Sequence, residues 1–429
     1  MKAREQILAL ARSRAVLTLL DQAVMSGGNF LMQILLARTL AKSELGLYGV
    51  GFTVVQFLLN TQASLVTAAY MVFSPKLDEA ERIRYAGSTR IHQGIIAVCA
   101  TAALLAAAGI VFFTGGDHAL ATVLLCQSLL LYFTLFRDYA RQLSFAGLRV
   151  TEALGLDTVF VVTQFLAVGA LAWQHQLTAP WAFLAIGSAS LVAVISWRLT
   201  TAQRFAADRV HARADWSKNW HFSRWIFGTN LAFLASNLAY PWVLYTFRGP
   251  EANGVLQACL IVGFQLINPF ILGIGNFLAP RTAHALHEGG LPALKTVVRN
   301  VDVLFAVVVG GYFLALLLGG QWVLDIVTKG KYPGAAPVVH CLALGQVFFA
   351  LTITANHALN ALEQPNIAFQ ALLIASLVTW TAGVWMVWQY GPLGAAAGQA
   401  LGGFAALAYT RWRFQRAVAQ WAPGLAAVP

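Results

Sequence analysis

Charged side chains are scarce in this sequence. They make up 10% of the 429 residues, whereas a soluble domain has about 25%. Hydrophobic residues account for 59% of the chain. A soluble protein of this length needs charged loops and helix faces to cover its surface, and too few charges are present for that. The composition excludes the soluble classes and predicts a polytopic membrane protein.

Acidic residues and cysteines are also rare. The chain has 17 acidic and 28 basic residues and a net charge of +11, which is typical of nucleic-acid binders or of membrane proteins with basic cytoplasmic loops. The basic residues occur in small groups between apolar segments, so we expect no nucleic-acid partner. The four cysteines lie inside apolar segments without metal-ligand spacing, and we expect neither a metal site nor a cofactor.

Long hydrophobic runs dominate the rest of the sequence. A bilayer-crossing helix needs about 20 mostly apolar residues, and twelve segments meet that requirement. Six precede and six follow the longest connection, which predicts an N-terminal lobe at 1–198, a cytoplasmic amphipathic linker at 199–221 and a C-terminal lobe at 222–429. The predicted spans lie at 15–38, 45–73, 91–114, 118–140, 150–173, 178–198, 222–246, 253–279, 300–320, 333–358, 365–388 and 393–411.

The distribution of basic residues predicts the orientation of these spans. With both termini in the cytoplasm, all of the 28 basic residues except five fall in cytoplasmic segments, as the positive-inside rule requires. The exceptions in the outer connections are Arg38, Lys42, Arg248, Lys329 and Lys331. We therefore predict twelve spans with both termini in the cytoplasm.

Motifs of catalysis are absent from the sequence. It has no phosphate-binding Gly–Lys loop, zinc motif or nucleophile elbow, which excludes ATP hydrolysis by this chain. Membrane glycan polymerases and ligases usually carry acidic catalytic residues in large outer loops. The outer connections here are short, and their acidic residues are isolated. We therefore expect a protein that is not an enzyme and has no catalytic residues.

The first predicted span contains polar residues that need an explanation. Its sequence, "AVLTLLDQAVMSGGNFLMQILLAR", includes Asp21, Gln22, Asn29 and Gln33. An ionisable group at the centre of a span costs about 2.5–3.5 kcal/mol, so a carboxylate facing lipid is excluded. The spacing places these residues on approximately one stripe of a helix, and we expect the stripe to face a cavity between the lobes.

Two interpretations remain open for Asp21. It is either a carboxylate that couples transport to a cation, or a structural partner of Arg14 or of a neighbouring helix. Asp157 in the fifth predicted span has the same alternatives. Both are candidates for ion coupling.

The two halves of the chain contain similar segments. "SELGLYGVGFTVVQFLLN" (43–60) resembles "PEANGVLQACLIVGFQLIN" (250–268), and each follows the first span of its half. A repeat of six spans returns the chain to the side on which it entered. The repeat axis then lies along the membrane normal, with a cavity between the two lobes.

Two longer segments carry a family resemblance. "LLARTLAKSELGLYGVG" (35–51) resembles the first-to-second-span signature of bacterial polysaccharide transporters, and "TKGKYPGAAPVVHCLALGQVFFALTITANHALNALEQPN" (328–366) is similar to a later region of the same proteins. These belong to the multidrug/oligosaccharidyl-lipid/polysaccharide (MOP) exporter superfamily. The resemblance implies an all-α transporter of the MATE type, with twelve transmembrane helices in two six-helix lobes that form a V.

The resemblance also implies a function. Lipid-linked oligosaccharide flippases move a polyprenyl-pyrophosphate-linked oligosaccharide across the bacterial inner membrane by alternating access, for exopolysaccharide or surface-glycan synthesis. The expected partners are that lipid-linked oligosaccharide, H+ or Na+, and the polysaccharide polymerase with its assembly machinery. The alternatives are an ion-coupled multidrug or cation antiporter of the same superfamily and a membrane glycan polymerase or ligase.

A pyrophosphate and sugars require particular side chains. The planar guanidinium of arginine donates two parallel hydrogen bonds to phosphate, and amides bind sugar hydroxyls. Each candidate also has a plain structural interpretation, as a snorkelling arginine or an amide that bonds a neighbouring helix. The candidate substrate-binding residues are Arg14, Arg38, Arg137, Arg141, Arg224, Asn60, Asn230 and Asn268.

Overall fold

The computed structural model describes residues 2–206 and 208–421, with side chains described for 16–206 and 208–421. Within these ranges the chain is helical and contains no β-strand. The predicted all-α fold is therefore confirmed. The chain divides into two compact units, Met1–Asn230 and Leu231–Pro429. The division falls inside a helix, later in the chain than the predicted 199–221 linker.

The first unit begins with a helix that carries the polar first span. A π-helical turn, Ala63–Thr67, separates α2 from α3, and a 3-10 turn follows α3 at Ser74–Lys76. The helices are α1 (Lys2–Thr39), α2 (Lys42–Gln62), α3 (Ala68–Phe73), α4 (Glu79–Phe113), α5 (His118–Ala146), α6 (Val150–Trp173), α7 (Ala179–Thr200) and α8 (Arg209–Asn237), the last of which continues into the second unit.

The second unit contains the longest helix and two further π-helical turns, Ile261–Gln265 and Thr379–Gly383. Its helices are α9 (Ala239–Leu260), α10 (Asn268–Thr328), α11 (Ala336–Ala361), α12 (Asn366–Val378), α13 (Val384–Tyr390) and α14 (Pro392–Gln420).

Glycines interrupt α9 and α10. Gly249 has φ 83° and is followed by Pro250, and Gly290 has φ 61° with Pro292 two residues later. Glycine adopts positive φ without the steric cost that a Cβ imposes, and proline is compatible with the first turn of the helix that resumes. These breaks fall in the predicted connections between spans seven and eight and between spans eight and nine.

Eight helical segments within the described residues are long and apolar enough to cross a membrane. They include Lys42–Lys76, Val150–Trp173 and Ala336–Ala361. The prediction of a polytopic membrane protein is thus supported by the helices themselves. One of the eight, Asn268–Thr328, is 61 residues long and covers the predicted ninth span and much of the eighth. The count of twelve spans stays a prediction.

Aromatic residues form the centre of the first unit. Tyr139 and Trp197 are both almost completely buried. The Trp197 indole N–H donates to Ser144 Oγ at 3.0 Å, and the Tyr139 hydroxyl lies 2.9 Å from Thr89 Oγ1. The polar atoms of these large side chains are thereby satisfied inside an apolar core. This packing joins α4, α5 and α7 beside the candidate site.

Close helix contacts in the second unit depend on small residues. A Cβ at Gly398 of α14 would lie 2.8 Å from the Tyr240 hydroxyl and 2.9 Å from Gly383 Cα. In a membrane, small residues allow backbones to approach and so permit close packing between helices. This contact therefore holds α9 and the π-helical turn at Thr379–Gly383 against α14.

We expect Gly398→Val to destabilise the protein by about 1–3 kcal/mol, the usual cost of overpacking. The matched control is Gly311→Val in α10, where a Cβ would meet nothing within 4 Å. Thermal unfolding in detergent, followed by loss of the monodisperse chromatographic peak, measures both variants. Equal melting temperatures for the two variants would contradict the close approach at Gly398.

Candidate functional site

Four charged residues meet inside the first unit, and we call them the charge cluster: Asp21, Arg137, Arg141 and Asp157. Arg141 is the shared partner. Its Nη2 donates to Asp21 Oδ2 at 2.7 Å and its Nε donates to Asp157 Oδ2 at 2.5 Å. Arg137 Nη1 lies 3.8 Å from Asp157 Oδ1. The cluster thus joins α1, α5 and α6 through two carboxylates and two guanidinium groups.

The charge cluster is buried except for part of the Arg141 side chain. Asp157 is 0% and Asp21 1% exposed, while the Arg141 side chain is 18% exposed. Buried ion pairs barely offset the cost of desolvation, but removing one partner leaves an uncompensated charge and costs about 3–5 kcal/mol. The two positive and two negative charges of the cluster balance, and Asp138, which interacts electrostatically with Arg137 and Arg141, adds a further carboxylate beside them. Arg141 is therefore the member of the cluster that reaches furthest toward accessible space.

Aromatic rings cover the two arginines. The Arg137 guanidinium lies 3.8 Å from the centroid of the Phe160 ring, and the Arg141 guanidinium lies 4.9 Å from that of Phe145. Cation–π contacts of this kind favour a cation where water is scarce. The rings therefore help to hold both arginines in place.

Several polar atoms in the charge cluster have no hydrogen-bond partner within the described residues. They are Oδ1 of Asp21, Oδ1 of Asp157, and Nε and Nη1 of Arg137. A buried polar atom without a partner costs about 1–3 kcal/mol. These carboxylate oxygens, of which Asp157 Oδ1 also lies 3.8 Å from Arg137 Nη1, can accept a proton or contact a cation. Either event weakens the hold of the carboxylates on Arg141. The cluster has the chemistry of an exchange site.

The contacts of Asp21 bear on whether it pairs with Arg14 or with a neighbouring helix, a choice that the sequence left open. Asp21 bonds a neighbouring helix through Arg141, whereas the side chain of Arg14 lies outside the described residues. The predicted polar stripe includes both buried and exposed positions, and its facing a cavity between the lobes stays a prediction. Asp21 and Gly28 are buried, and a Cβ at Gly28 would lie 2.9 Å from Val161 of α6. Gln22 and Asn29 are exposed, because they lie on the adjacent side of α1.

Two of the predicted amide ligands are brought together at a π-helical turn. Ser64 lies in Ala63–Thr67; its hydroxyl donates to the Asn60 carbonyl at 2.7 Å and accepts from Asn230 Nδ2 at 2.6 Å. The Asn60 amide donates to the Gln56 carbonyl of its own helix. Such turns are frequent at functional sites. This chain of contacts links α2 to α8 within the first unit.

Asn268 lies beside the π-helical turn of the second unit. It is the first residue of α10, directly before Pro269, and it is half-buried. Its Oδ1 is buried without a hydrogen-bond partner within the described residues. Asn60 and Asn268 therefore both lie within a few residues of a π-helical turn, at the ends of the two segments whose sequences resemble each other.

The remaining predicted arginines lie away from the charge cluster. Arg38 is half-buried in the last turn of α1. Arg224 is exposed on α8 and lies over the Trp225 ring at 5.5 Å. The structure thus brings Arg141 together with both carboxylate candidates, but not with these two residues. Their predicted contact with substrate stays a prediction.

The sequence analysis missed a second intramembrane ion pair. Arg411 of α14 donates from Nη1 to Asp302 Oδ2 at 2.7 Å and from Nη2 to Asp302 Oδ1 at 2.6 Å. Thr354 donates to the same carboxylate at 2.6 Å. A signal was present, because Asp302 opens the predicted ninth span and Arg411 ends the twelfth. The argument applied to Asp21 also applies to Asp302, although more weakly because Asp302 lies near the end of its predicted span.

Solved structures of transporters and of a flippase share this fold. An inward-facing MATE multidrug resistance transporter of the MOP superfamily has a TM-score of 0.72 at 14% identity, covering 94% of this chain and 96% of its own. The lipid II flippase MurJ in an inward closed conformation has a TM-score of 0.74 at 14% identity, covering 94% and 87%. A MOP superfamily transporter from Pyrococcus furiosus has a TM-score of 0.62 at 13% identity and covers 94% of both chains.

The chain has the fold of the MOP superfamily transporters. This confirms the MATE-like fold class predicted from the sequence. In this MOP fold, α1, α5 and α6 of the first unit hold the charge cluster, and α10 and α14 of the second unit hold the Asp302–Arg411 pair. At these identities the likeness defines the fold alone, and the polysaccharide-transporter resemblance stays an expectation.

Sequence comparison adds one distant relative. An uncharacterized membrane protein of Methanocaldococcus jannaschii is 22% identical over 166 residues, which is 39% of this chain and 33% of the relative. The match spans about a third of that protein's length. No protein-family model matches the chain.

Proposed function

We propose that this MOP-fold protein is a flippase that moves a polyprenyl-pyrophosphate-linked oligosaccharide from the cytoplasmic to the outer leaflet of the bacterial inner membrane. Transport by alternating access would serve exopolysaccharide or surface-glycan synthesis. The observation that carries the proposal is the buried Arg141, which two carboxylates hold while its side chain stays 18% exposed. The protein would carry its substrate without chemical change, and so would not be an enzyme.

Arg141 supports an anionic substrate because its guanidinium already makes two charge-assisted hydrogen bonds to carboxylates. A pyrophosphate presents oxygens with similar geometry, and arginine binds such groups with two parallel hydrogen bonds. Substrate pyrophosphate therefore competes with Asp21 and Asp157 for the same donors. The competition makes Arg141 available only when the carboxylates release it.

An ion provides that release in our proposal. H+ or Na+ arriving at Asp21 or Asp157 neutralises a carboxylate, which weakens its hydrogen bond to Arg141 and leaves a net positive charge for the pyrophosphate. Departure of the ion restores the carboxylates and expels the substrate. Because the ion and the pyrophosphate then bind and leave together, the two would move in the same direction, and transport would respond to an ion gradient without ATP. It assigns ion coupling to Asp21 and Asp157 and substrate contact to Arg141.

In the same proposal, asparagine side chains bind the sugars of the substrate. Asn60, Asn230 and Asn268 offer the donors and acceptors that sugar hydroxyls require, and the Asn268 Oδ1 atom is unpartnered within the described residues. Arg14, Arg38 and Arg224 are further candidates for phosphate contact. A polysaccharide polymerase and its assembly machinery would receive the glycan on the outer side.

A second candidate function is an ion-coupled multidrug or cation antiporter. The TM-score of 0.72 with a MATE multidrug resistance transporter favours it, and the two buried carboxylates suit a cationic drug. The partly exposed guanidinium of Arg141 supports an anionic substrate instead. The choice between the two rests on a cellular measurement.

We expect deletion of this protein to accumulate polyprenyl-linked glycan repeat units and to abolish the secreted polysaccharide, because flipping precedes polymerisation. Mass spectrometry of the lipid extract, beside quantification of the polysaccharide, measures both. Complementation with the wild-type chain is the control. Unchanged lipid-linked glycans together with normal polysaccharide would contradict the flippase function, and cationic dye efflux would then test the antiporter.

A further inference from the structure

A groove lies between α4 and the first turns of α8, entirely within the first unit and away from the charge cluster. Its volume is about 690 Å³, within the range of sites for small molecules. One wall is apolar and comes from α4; the other combines cationic and aromatic side chains of α8. The lining residues that carry the argument are Ile91, Ile95 and Ile96 on α4 and Arg209, Arg213 and Trp216 on α8.

The two walls are fixed to each other by hydrogen bonds. His92 Nε2 donates to the Ala212 carbonyl at 2.7 Å, and the His92 ring packs edge-on against Trp216 with centroids 5.1 Å apart. Two helical turns away, the Tyr85 hydroxyl donates to Asn219 Oδ1 at 2.7 Å. The start of α8 is therefore held rigidly on α4, and the groove is a preformed feature of the surface.

The cationic wall carries charge available to a ligand. Arg209 and Arg213 are four residues apart on one helix, so their side chains are neighbours, and both are exposed. Neither makes an ion pair with any residue in the described ranges. The nearest acid in sequence, Asp208, is bonded to His211, and Asp215 is not part of the lining. The two guanidinium groups can therefore reach one phosphate together.

The apolar wall continues along α4 beyond the groove. Ile95 is 57% exposed and Val98 61% exposed, on a helix long and apolar enough to cross a membrane. An exposed face of this kind is suited to hydrocarbon chains. Trp216 lies where the apolar and cationic walls meet, and tryptophan favours the boundary between hydrocarbon and headgroups.

We propose that this groove binds an anionic phospholipid, phosphatidylglycerol, as a resident lipid. Its phosphate lies between Arg209 and Arg213, and an acyl chain runs along Ile95 and Val98. Basic pockets beside transmembrane helices recognise lipid headgroups in this way. The positive-inside prediction places the site in the cytoplasmic leaflet. The proposal is independent of the transported substrate, because none of these residues belongs to the charge cluster.

Native mass spectrometry of the full chain, titrated with phosphatidylglycerol or with phosphatidylcholine, tests the proposal. The variant R209Q/R213Q removes both cations while keeping side chains of helix-compatible size. The matched control is K295Q/R299Q, which removes two exposed cations at the same spacing on α10. We expect R209Q/R213Q to weaken phosphatidylglycerol binding roughly thirtyfold, with the control unchanged and phosphatidylcholine binding weak throughout. Ile95→Ser should weaken phosphatidylglycerol binding further if an acyl chain contacts the α4 wall.

Several outcomes would overturn this assignment. Equal affinity of wild type and R209Q/R213Q for phosphatidylglycerol would do so, as would equal affinity of the wild type for the two phospholipids. A polyprenyl phosphate probe that displaces phosphatidylglycerol with higher affinity would make the groove part of a substrate path. A dimer mass that R209Q/R213Q abolishes would identify a second copy of the chain as the occupant.

Discussion

Arg141→Met is expected to abolish polysaccharide export and also to destabilise the protein by about 3–5 kcal/mol, because it leaves Asp21 and Asp157 with too little positive charge nearby. Loss of export by this single variant therefore has two explanations. The double variant D21N/R141M separates them. It removes one charge of each sign and keeps the 3.8 Å pair between Arg137 and Asp157.

We expect D21N/R141M to melt near the wild-type temperature and still fail to export, since the substrate has lost its phosphate-binding guanidinium. Melting temperature in detergent and secreted polysaccharide in a deletion strain are the two measurements. Arg141→Lys adds a finer comparison, because lysine retains the charge but lacks the planar fork, and we expect partial or no export from it. Normal export by the stable double variant would remove Arg141 from the site.

Asp157→Asn is expected to cost more stability than Asp21→Asn. Asp157 is 0% exposed and interacts with both Arg141 and Arg137, whereas Asp21 bonds Arg141 alone. Loss of Asp157 therefore leaves a buried excess of positive charge, at about 3–5 kcal/mol. The charge-balanced variant R137M/D157N should recover most of this loss, because Arg141 and Asp21 keep their 2.7 Å hydrogen bond.

Ion coupling provides the functional readout for Asp157. In proteoliposomes with an imposed proton or sodium gradient, we expect R137M/D157N to move lipid-linked oligosaccharide only down its own gradient, whereas the wild type responds to the ion. Asp208→Asn is the control, since that carboxylate is exposed and bonded to His211 at the surface, and its removal should change neither melting temperature nor coupling. Wild-type ion dependence in R137M/D157N would show that coupling resides elsewhere.

The second ion pair, Asp302–Arg411, differs from the charge cluster in how completely its charges are paired. Asp302 and Arg411 are about a quarter exposed, and their hydrogen bonds are bidentate with a third donor from Thr354. Both oxygens of Asp302 accept hydrogen bonds within this pair, so its simplest role is to hold α10 against α14. Arg141, in contrast, divides its donors between two carboxylates that each retain an oxygen without a hydrogen bond within the described residues. The incomplete pairing is what suits the charge cluster to exchange.

The sequence alone determined the class of protein and several members of the site. The scarcity of charge required a membrane protein, since a soluble surface could not be built. The glycine–proline pairs at Gly249 and Gly290 fall where spans end, because positive φ and proline are local properties that a short segment specifies. The cost of a carboxylate in a span singled out Asp21 and Asp157 before any partner was known.

Only the tertiary structure decided which of these residues meet. Arg141 joins Asp157 of the next helix to Asp21 of α1, which is 120 residues away in sequence. Asn230 likewise reaches Ser64 across 166 residues. In a soluble helix the apolar face identifies the core, but in a bilayer both lipid and neighbouring helices are apolar. Hydrophobic pattern therefore does not distinguish the lipid-facing side of α1 from the side that packs on α6. For the same reason, no local pattern in the sequence identifies Arg411 of α14 as the partner of Asp302.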